Sequence, residues 1–369
     1  MHVKHIECIK CKAKYPKNKI IFRCKKCGQS LKLVYDYKEI KNNISWEKLR
    51  KRAFNHWRYR EFFPIVADKN IITLREGGTP LFKSRKVGKL LGYKNLYFKF
   101  EGLNPTGSFK DRGTTVEISR ANEFKVKEVV CASTGNMGAS VAAYSIMANI
   151  KAKIYVPKDT TDSKIKQMLT FGAKVVYVDN HYDKALELAN IDFLKRKTYM
   201  MGDYPYRGEG EKSVAFEIVD EMQPDYIVSP IGNGTLISSV WRGLNEFKIV
   251  GLIKKLPRLV GIQAKGCAPV VNALKMKKKV EAVEPRTIAS AIACGSPLDG
   301  LEALNALKES KGKGETVSDA EMMIAKKMLA SEGIYAELSG AATLAGLAKL
   351  GLPRDSNIVL VVTGHGLKD

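Results

Sequence analysis

Tyr226-Ile227-Val228-Ser229-Pro230-Ile231-Gly232-Asn233-Gly234-Thr235 reads as a short apolar strand that breaks into a glycine-rich turn, and the helical pattern Leu236–Phe247 follows at once. The strand residues are apolar on consecutive positions, as in a parallel strand covered on both faces. The same texture recurs along the chain. Candidate strands are Leu96–Phe100, Val129–Ala132, Lys153–Val156, Lys174–Val178, Arg258–Ala264 and Asn357–Thr363. Helical stretches Met137–Ala148, Asp162–Phe171, Tyr182–Arg196 and Ser318–Glu332 alternate with them, and a helical, aromatic-rich stretch runs from Trp46 to Phe63. Strand, turn and helix in repeated succession specify an α/β chain with a mostly parallel sheet. In such folds ligands bind beyond the carboxyl ends of the strands, so function is sought at the glycine-rich turns.

The turn at Gly232-Asn233-Gly234-Thr235 has the makings of a phosphate cradle. Glycines let backbone N–H groups converge on an anion, and the helix start adds partial positive charge. It is neither a Walker A motif nor a dinucleotide fingerprint, and two glycines alone also fit a plain turn. Three further turns stand out: Asn104-Pro105-Thr106-Gly107-Ser108-Phe109-Lys110-Asp111-Arg112, Ser133-Thr134-Gly135-Asn136, and Thr363-Gly364-His365-Gly366-Leu367-Lys368-Asp369. Lys110 follows a turn and opens a helical run. There the positive end of the helix dipole favours a neutral amine, the nucleophile a Schiff base needs.

Cys8-x2-Cys11 and Cys24-x2-Cys27 are separated by twelve residues. Two such knuckles suit a tetrahedral four-cysteine zinc site, in which four protein ligands leave no open position and the role is structural. Two disulfides or four free thiols are the other readings. Cys131, Cys267 and Cys294 lie in apolar or glycine-rich contexts and are expected to be buried free thiols.

The chain has 369 residues, 45% of them hydrophobic, which excludes wholesale disorder. No apolar run approaches the ~20 residues of a membrane span. Met1-His2-Val3-Lys4 has no apolar signal core, so a cytoplasmic protein is expected. With 62 Lys+Arg against 38 Asp+Glu the formal net charge is +24. That balance admits a nucleic-acid partner, but the lysines are spread along the chain, as on a solvated surface.

Taken in order, Asn-Pro-Thr-Gly-Ser-Phe-Lys110-Asp-Arg, Ser-Thr-Gly-Asn136, the glycine cradle and Thr363-Gly-His-Gly-Leu-Lys-Asp resemble the fold-type II pyridoxal-phosphate (PLP) enzymes. The four-cysteine ribbon, Glu76-Gly77-Gly78-Thr79-Pro80-Leu81 and the final turn make the chain similar to the threonine synthase family within them. The resemblance covers nearly the whole chain. It implies two three-layer α/β/α domains behind a zinc ribbon: residues 1–45 as ribbon, 46–100 with 206–369 as the large PLP domain, and 101–205 as the small domain.

By the same resemblance, Lys110 holds PLP and moves protons during the reaction. Asn136 bonds the PLP ring hydroxyl, Gly232, Asn233, Gly234 and Thr235 cradle its phosphate, and the Thr363 hydroxyl faces the pyridine nitrogen. Ser133 and Thr134 lie on the loop for the substrate carboxylate, and Arg207 and Lys212 lie on a stretch where the arginine grips a substrate phosphate. For Arg207 a surface ion pair with Glu209 or Glu211 is the competing reading. The implied reaction converts O-phosphohomoserine and water to threonine and phosphate, and the implied assembly is a homodimer.

Three positions depart from the family pattern. Met137 stands for a threonine, Met201-Gly202-Asp203-Tyr204-Pro205 for Asn-Ser-x-Asn-Pro, and the Cys294 segment for one that carries an arginine. All fall on the substrate side. Replacement chemistry on O-phosphoserine (a cysteate synthase or O-phosphoserine sulfhydrylase) and threonine/serine dehydratase therefore remain alternatives. A zinc-ribbon protein on nucleic acid with an inert body is the alternative from another class.

Overall fold

In the computed structural model the chain gathers into two units, Met1–Glu76 with Lys110–Glu211, and Gly77–Phe109 with Lys212–Asp369. The structure describes residues 2–133, 135–158, 160–179, 182–196, 198–202 and 205–369, the side chain of residue 183 excepted. Strands β1 (Val3–Cys8), β2 (Lys14–Tyr15) and β3 (Leu31–Tyr35) build an antiparallel N-terminal sheet in the order β2-β1-β3. Next along the chain come β4 (Leu81–Lys83) and β5 (Asn95–Phe100), which belong to the second unit. β6 (Glu128–Ala132), β7 (Lys151–Pro157), β8 (Lys174–Val178) and β9 (Tyr199–Met200) form a parallel sheet in the order β8-β7-β6-β9. β10 (Tyr226–Pro230), β11 (Arg258–Ala264), β12 (Lys313–Val317) and β13 (Asn357–Val362) complete the second unit's sheet, ordered β12-β11-β10-β13-β5-β4 and parallel except at the β4 edge.

Each strand read from the sequence is present to within two residues. In the first unit, alternate strand residues feed two separate cores. Val129, Cys131 and Ile154 join one with Ala142 and Met168; Val130, Ala132 and Tyr155 join the other with Ala185 and Ala189. Helices Asn136–Met147 and Asp162–Thr170 thus cover one face, and Tyr182–Arg196 the other. In the second unit Ile262 lies against Gly346 of helix Leu338–Lys349, while its neighbour Gly261 faces Leu307 of helix Gly300–Glu309. Both sheets are therefore the middle layer of three, which is why their strands carry no polar face.

The aromatic stretch after residue 45 is not one helix. A five-residue helix, Trp46–Arg50, is followed by a 3-10 segment, His56–Phe62. The Arg58 guanidinium turns back to donate to the carbonyls of Arg52 and Ala53, closing a loop where the helical pattern would have continued. Residues 46–76, grouped with the C-terminal body on sequence grounds, fall in the first unit. No helix among the described residues is long and apolar enough to cross a membrane.

Candidate active-site residues and metal centre

Lys110 is the first residue of helix Lys110–Glu123. The segment just before it is laced to the C-terminal turn. Phe109 N–H donates to Thr363 O at 3.1 Å, His365 N–H to Gly107 O at 2.9 Å, and Lys368 Nζ to Thr106 O at 2.6 Å. A bridge joins Ser108 to Gly364. Four consecutive residues are thus pinned, which fixes the point where the chain enters the Lys110 helix. Thr363 itself directly follows β13 and is 4% exposed. The Ser108 hydroxyl is fully buried and has no hydrogen-bond partner among the described residues. An orphaned hydroxyl there costs about 1–3 kcal/mol unless a ligand takes it.

The glycine turn follows β10 and opens helix Thr235–Ile249. Gly234 has φ +94°, and a Cβ there would lie 2.6 Å from Asp299 O. A Cβ on Gly232 would lie 2.9 Å from Ala291 O. Both glycines let residues 291–299 close on the turn from behind. The Asn233 side chain also faces that way, its Oδ1 accepting from Leu298 N–H at 2.7 Å and from the Cys294 thiol at 3.3 Å. Thr235 Oγ1 donates to Asp299 Oδ2 at 2.8 Å. Asn233 and Thr235 brace the turn with their side chains, holding its glycine-rich backbone at the start of a helix. The backbone N–H groups of such a turn are the donor set a phosphate monoester takes. Together with the Ser108 hydroxyl it fits the phosphate-bearing cofactor that the motifs imply.

In the first unit, Ser133 Oγ accepts from Gly135 N–H at 3.0 Å and Gly138 N–H at 2.8 Å, so it caps the helix that Asn136 opens. Gly135 lies directly on a buried lysine that the sequence reading missed: a Cβ there would meet Lys164 Cδ at 2.3 Å. Thr134, Asp203 and Tyr204 lie outside the described residues. Met137 and Met201, where family hydroxyl and amide side chains were expected, pack with the apolar core of the four-stranded sheet.

Arg207 and Lys212 are not surface residues; both are fully buried. Arg207 Nη2 pairs with Glu117 at 2.7 Å and reaches Thr114 Oγ1 at 3.2 Å, while Nε donates to Gly202 O at 3.0 Å. Nη1 meets Lys110 O at the limit of bonding, 3.5 Å. Arg207 is thus in a buried ion pair with Glu117, a residue distant in sequence, and not in a surface pair. Gly113 and Gly210 permit the fit, since a Cβ at Gly113 would meet Arg207 Cγ at 2.7 Å and one at Gly210 would meet Arg112 O at 1.9 Å. Lys212, in the second unit, pairs with the buried Glu246 at 2.9 Å. Both cations expected to meet a substrate phosphate have a carboxylate beside them.

The four N-terminal sulfurs lie within 4.8 Å of one another, with three contacts of 3.5 Å. Tetrahedral zinc–thiolate bonds of about 2.3 Å place sulfurs about 3.8 Å apart, so the cluster fits zinc closely. Burial opposes ionisation of Cys24, but the Tyr15 hydroxyl and nearby N–H groups outweigh it and bring its thiol down to about 6. The Ala13 N–H favours a Cys11 thiolate, yet burial and the other three sulfurs push Cys11 up to about 12. Crowded thiols of this kind ionise together only beside a cation. All seven cysteines are free; Cys131 and Cys267 are buried as expected, but Cys294 is partly exposed.

A family model described as pyridoxal-phosphate-dependent enzyme matches residues 72–364. The threonine synthase of Methanocaldococcus jannaschii is 44% identical over 98% of this chain and 92% of its own. That of Methanosarcina acetivorans is 41% identical over 99% and 92%. Among solved structures, maize serine racemase matches with TM-score 0.69 at 23% identity, over 78% of this chain and 88% of that one. Escherichia coli diaminopropionate ammonia lyase matches with TM-score 0.71 at 17% identity, over 81% and 88%, a likeness of fold alone.

Proposed function

Because the chain belongs to the pyridoxal-phosphate-dependent enzymes and, within them, to the threonine synthases, we propose that it converts O-phosphohomoserine and water to threonine and phosphate. The observation that carries this reading is 44% identity to a threonine synthase over 98% of the chain; the motifs around Lys110, Asn136, the glycine turn and Thr363 support it. PLP, when bound, supplies an electron sink for the charge that develops at the substrate's Cα and Cβ. Lys110 holds the cofactor and then carries protons at those carbons. Its place as the first residue of a helix, behind a segment pinned to the C-terminal turn, fixes where its amine stands. The Gly232–Thr235 backbone takes the cofactor phosphate, Asn136 the ring hydroxyl and Thr363 the ring nitrogen. A hydroxyl at that nitrogen would donate to an unprotonated ring, which would make a weaker sink suited to elimination and replacement. Ser133 and Thr134 shape the substrate-carboxylate loop. The four cysteines hold one structural zinc, and the enzyme works as a cytoplasmic homodimer.

A second reading, β-replacement on O-phosphoserine, is favoured by the pairing of Arg207 and Lys212 with buried carboxylates, which alters the expected grip on the longer substrate's phosphate. One assay separates the two. Purified enzyme is given O-phosphohomoserine, O-phosphoserine with sulfite, O-phosphoserine with sulfide, and threonine in parallel. Threonine and phosphate are expected from the first. Product from another tube and none from the first rejects threonine synthase. Lys110→Ala is expected to abolish turnover and the visible absorbance of bound PLP.

A further inference from the structure

The two cysteine knuckles are near copies of each other, sixteen residues apart in sequence. Lys12 N–H donates to Cys8 O at 3.2 Å, and Gly28 N–H to Cys24 O at 2.8 Å. Cys8 N–H donates to Ala13 O at 2.9 Å, and Cys24 N–H to Gln29 O at 3.0 Å. The residue after the second cysteine is left-handed in both, with φ +59° at Lys12 and +70° at Gly28. Carried three residues further, the correspondence pairs Tyr15 with Leu31. Here the symmetry fails chemically. Leu31 is an apolar, buried register partner of Cys8. Tyr15 sends its hydroxyl across to the other knuckle, 3.1 Å from Cys24 Sγ. Lys25 N–H donates to that same hydroxyl oxygen at 2.9 Å. With the oxygen accepting from Lys25, the phenol's one proton is available to be donated to the sulfur.

We propose that Tyr15 is a positioning residue for the metal: by hydrogen bonding its hydroxyl to Cys24 Sγ it holds that ligand in place and ties the two knuckles across the ion. This rests on the reading of the cluster as a zinc site. Four thiolates around one divalent ion leave excess negative charge on sulfur, and a donated proton draws that charge down and slows ligand loss. Outer hydrogen-bond donors of this sort are worth about 10–100-fold in metal affinity. No equivalent donor stands at Leu31, so the first knuckle lacks this anchor.

The test uses full-length protein: wild type, Tyr15→Phe, and Lys14→Ala as a control on the same strand. Zinc content is measured first, then release to 4-(2-pyridylazo)resorcinol, then the thiolate-to-metal charge-transfer bands of the cobalt(II)-loaded protein. Expected are one zinc per chain, release at least tenfold faster from Tyr15→Phe, and charge-transfer bands moved to lower energy as the sulfur regains electron density. Lys14→Ala should match wild type in both. Equal release and unmoved bands in Tyr15→Phe, with one zinc bound, overturn the role of Tyr15 and leave the zinc reading standing. No zinc in the wild type overturns both. The band shift separates hydrogen bonding to sulfur from mere strand packing, because a packing defect changes release without changing sulfur's electron density.

Discussion

Replacing Arg207 by methionine removes a buried cation and breaks its 2.7 Å ion pair with Glu117, whose side chain is 1% exposed. Of the contacts that Glu117 makes, the Gly202 N–H at 3.0 Å survives. Breaking a buried pair from one side costs about 3–5 kcal/mol, because the remaining carboxylate stays dry. Glu117→Gln alone should cost a similar amount, now by breaking the same buried pair from the carboxylate side. The double variant loses only hydrogen bonds, at about 1–2 kcal/mol, since the introduced amide oxygen still accepts from Gly202 N–H. The cycle should therefore show strong favourable coupling between the two positions. Amide hydrogen exchange reads it locally: peptides covering 110–123 and 205–211 should lose protection by about two to three and a half orders of magnitude in either single variant, and recover most of it in the double. Steady-state kinetics run beside it. Wild-type protection in Arg207→Met, with KM for O-phosphohomoserine raised a hundredfold, would refute the bracing role and make Arg207 a substrate ligand.

Glu332 accepts from Ser84 Oγ and from the N–H groups of Arg85, Lys86 and Val87. Burial raises its pKa, but those four donors prevail and bring it to about 2. A depressed carboxyl stabilises above its unfolded value of about 4.3 and loses that stabilisation as pH falls toward about 2. Glu332→Gln should thus lower the melting temperature at pH 7 by an amount worth about 1–2 kcal/mol, reduced by solvent screening, and the gap to wild type should shrink in melts below pH 4. A pH-independent gap would point to packing instead. Gly234→Ala forces a side chain into left-handed backbone against Asp299 O and should weaken PLP retention at least tenfold, read by absorbance after dialysis; full retention would show that the cradle yields. Zinc removal by a strong chelator should melt β1–β3, seen as proteolysis within residues 1–36, while PLP absorbance persists; loss of both together would mean the ribbon supports the body.

Most of the parallel strands were legible because a strand buried on both faces is apolar on consecutive positions. β12, Lys313-Gly314-Glu315-Thr316-Val317, escaped notice because it is a sheet edge that carries Lys, Glu and Thr, with only Gly314 and Val317 buried. β4 and β9 are too short to carry any period. Among site residues, the glycines and Lys110 were readable because turn geometry and helix starts leave local marks. The environments of Arg207 and Lys212 were not, since Glu117 and Glu246 are distant in sequence and meet them only through helix packing. Asn233 was rightly placed at the turn, but its side chain braces residues 294–298, a contact no local pattern encodes.

β13 lies between β10 and β5, and its Val362 is the register partner of Phe100. Until residues 357–362 leave the ribosome, the pieces β10–β12 and β4–β5 have no strand to join them. Each presents an open edge for as long as the intervening chain takes to make. Closing such a distant pairing is slow, and an unpaired apolar edge invites pairing with another chain. The strand that delivers Thr363 is thus also the keystone of the second unit. A nascent chain stalled before residue 357 is, by this topology, an aggregation hazard and not a partly active enzyme.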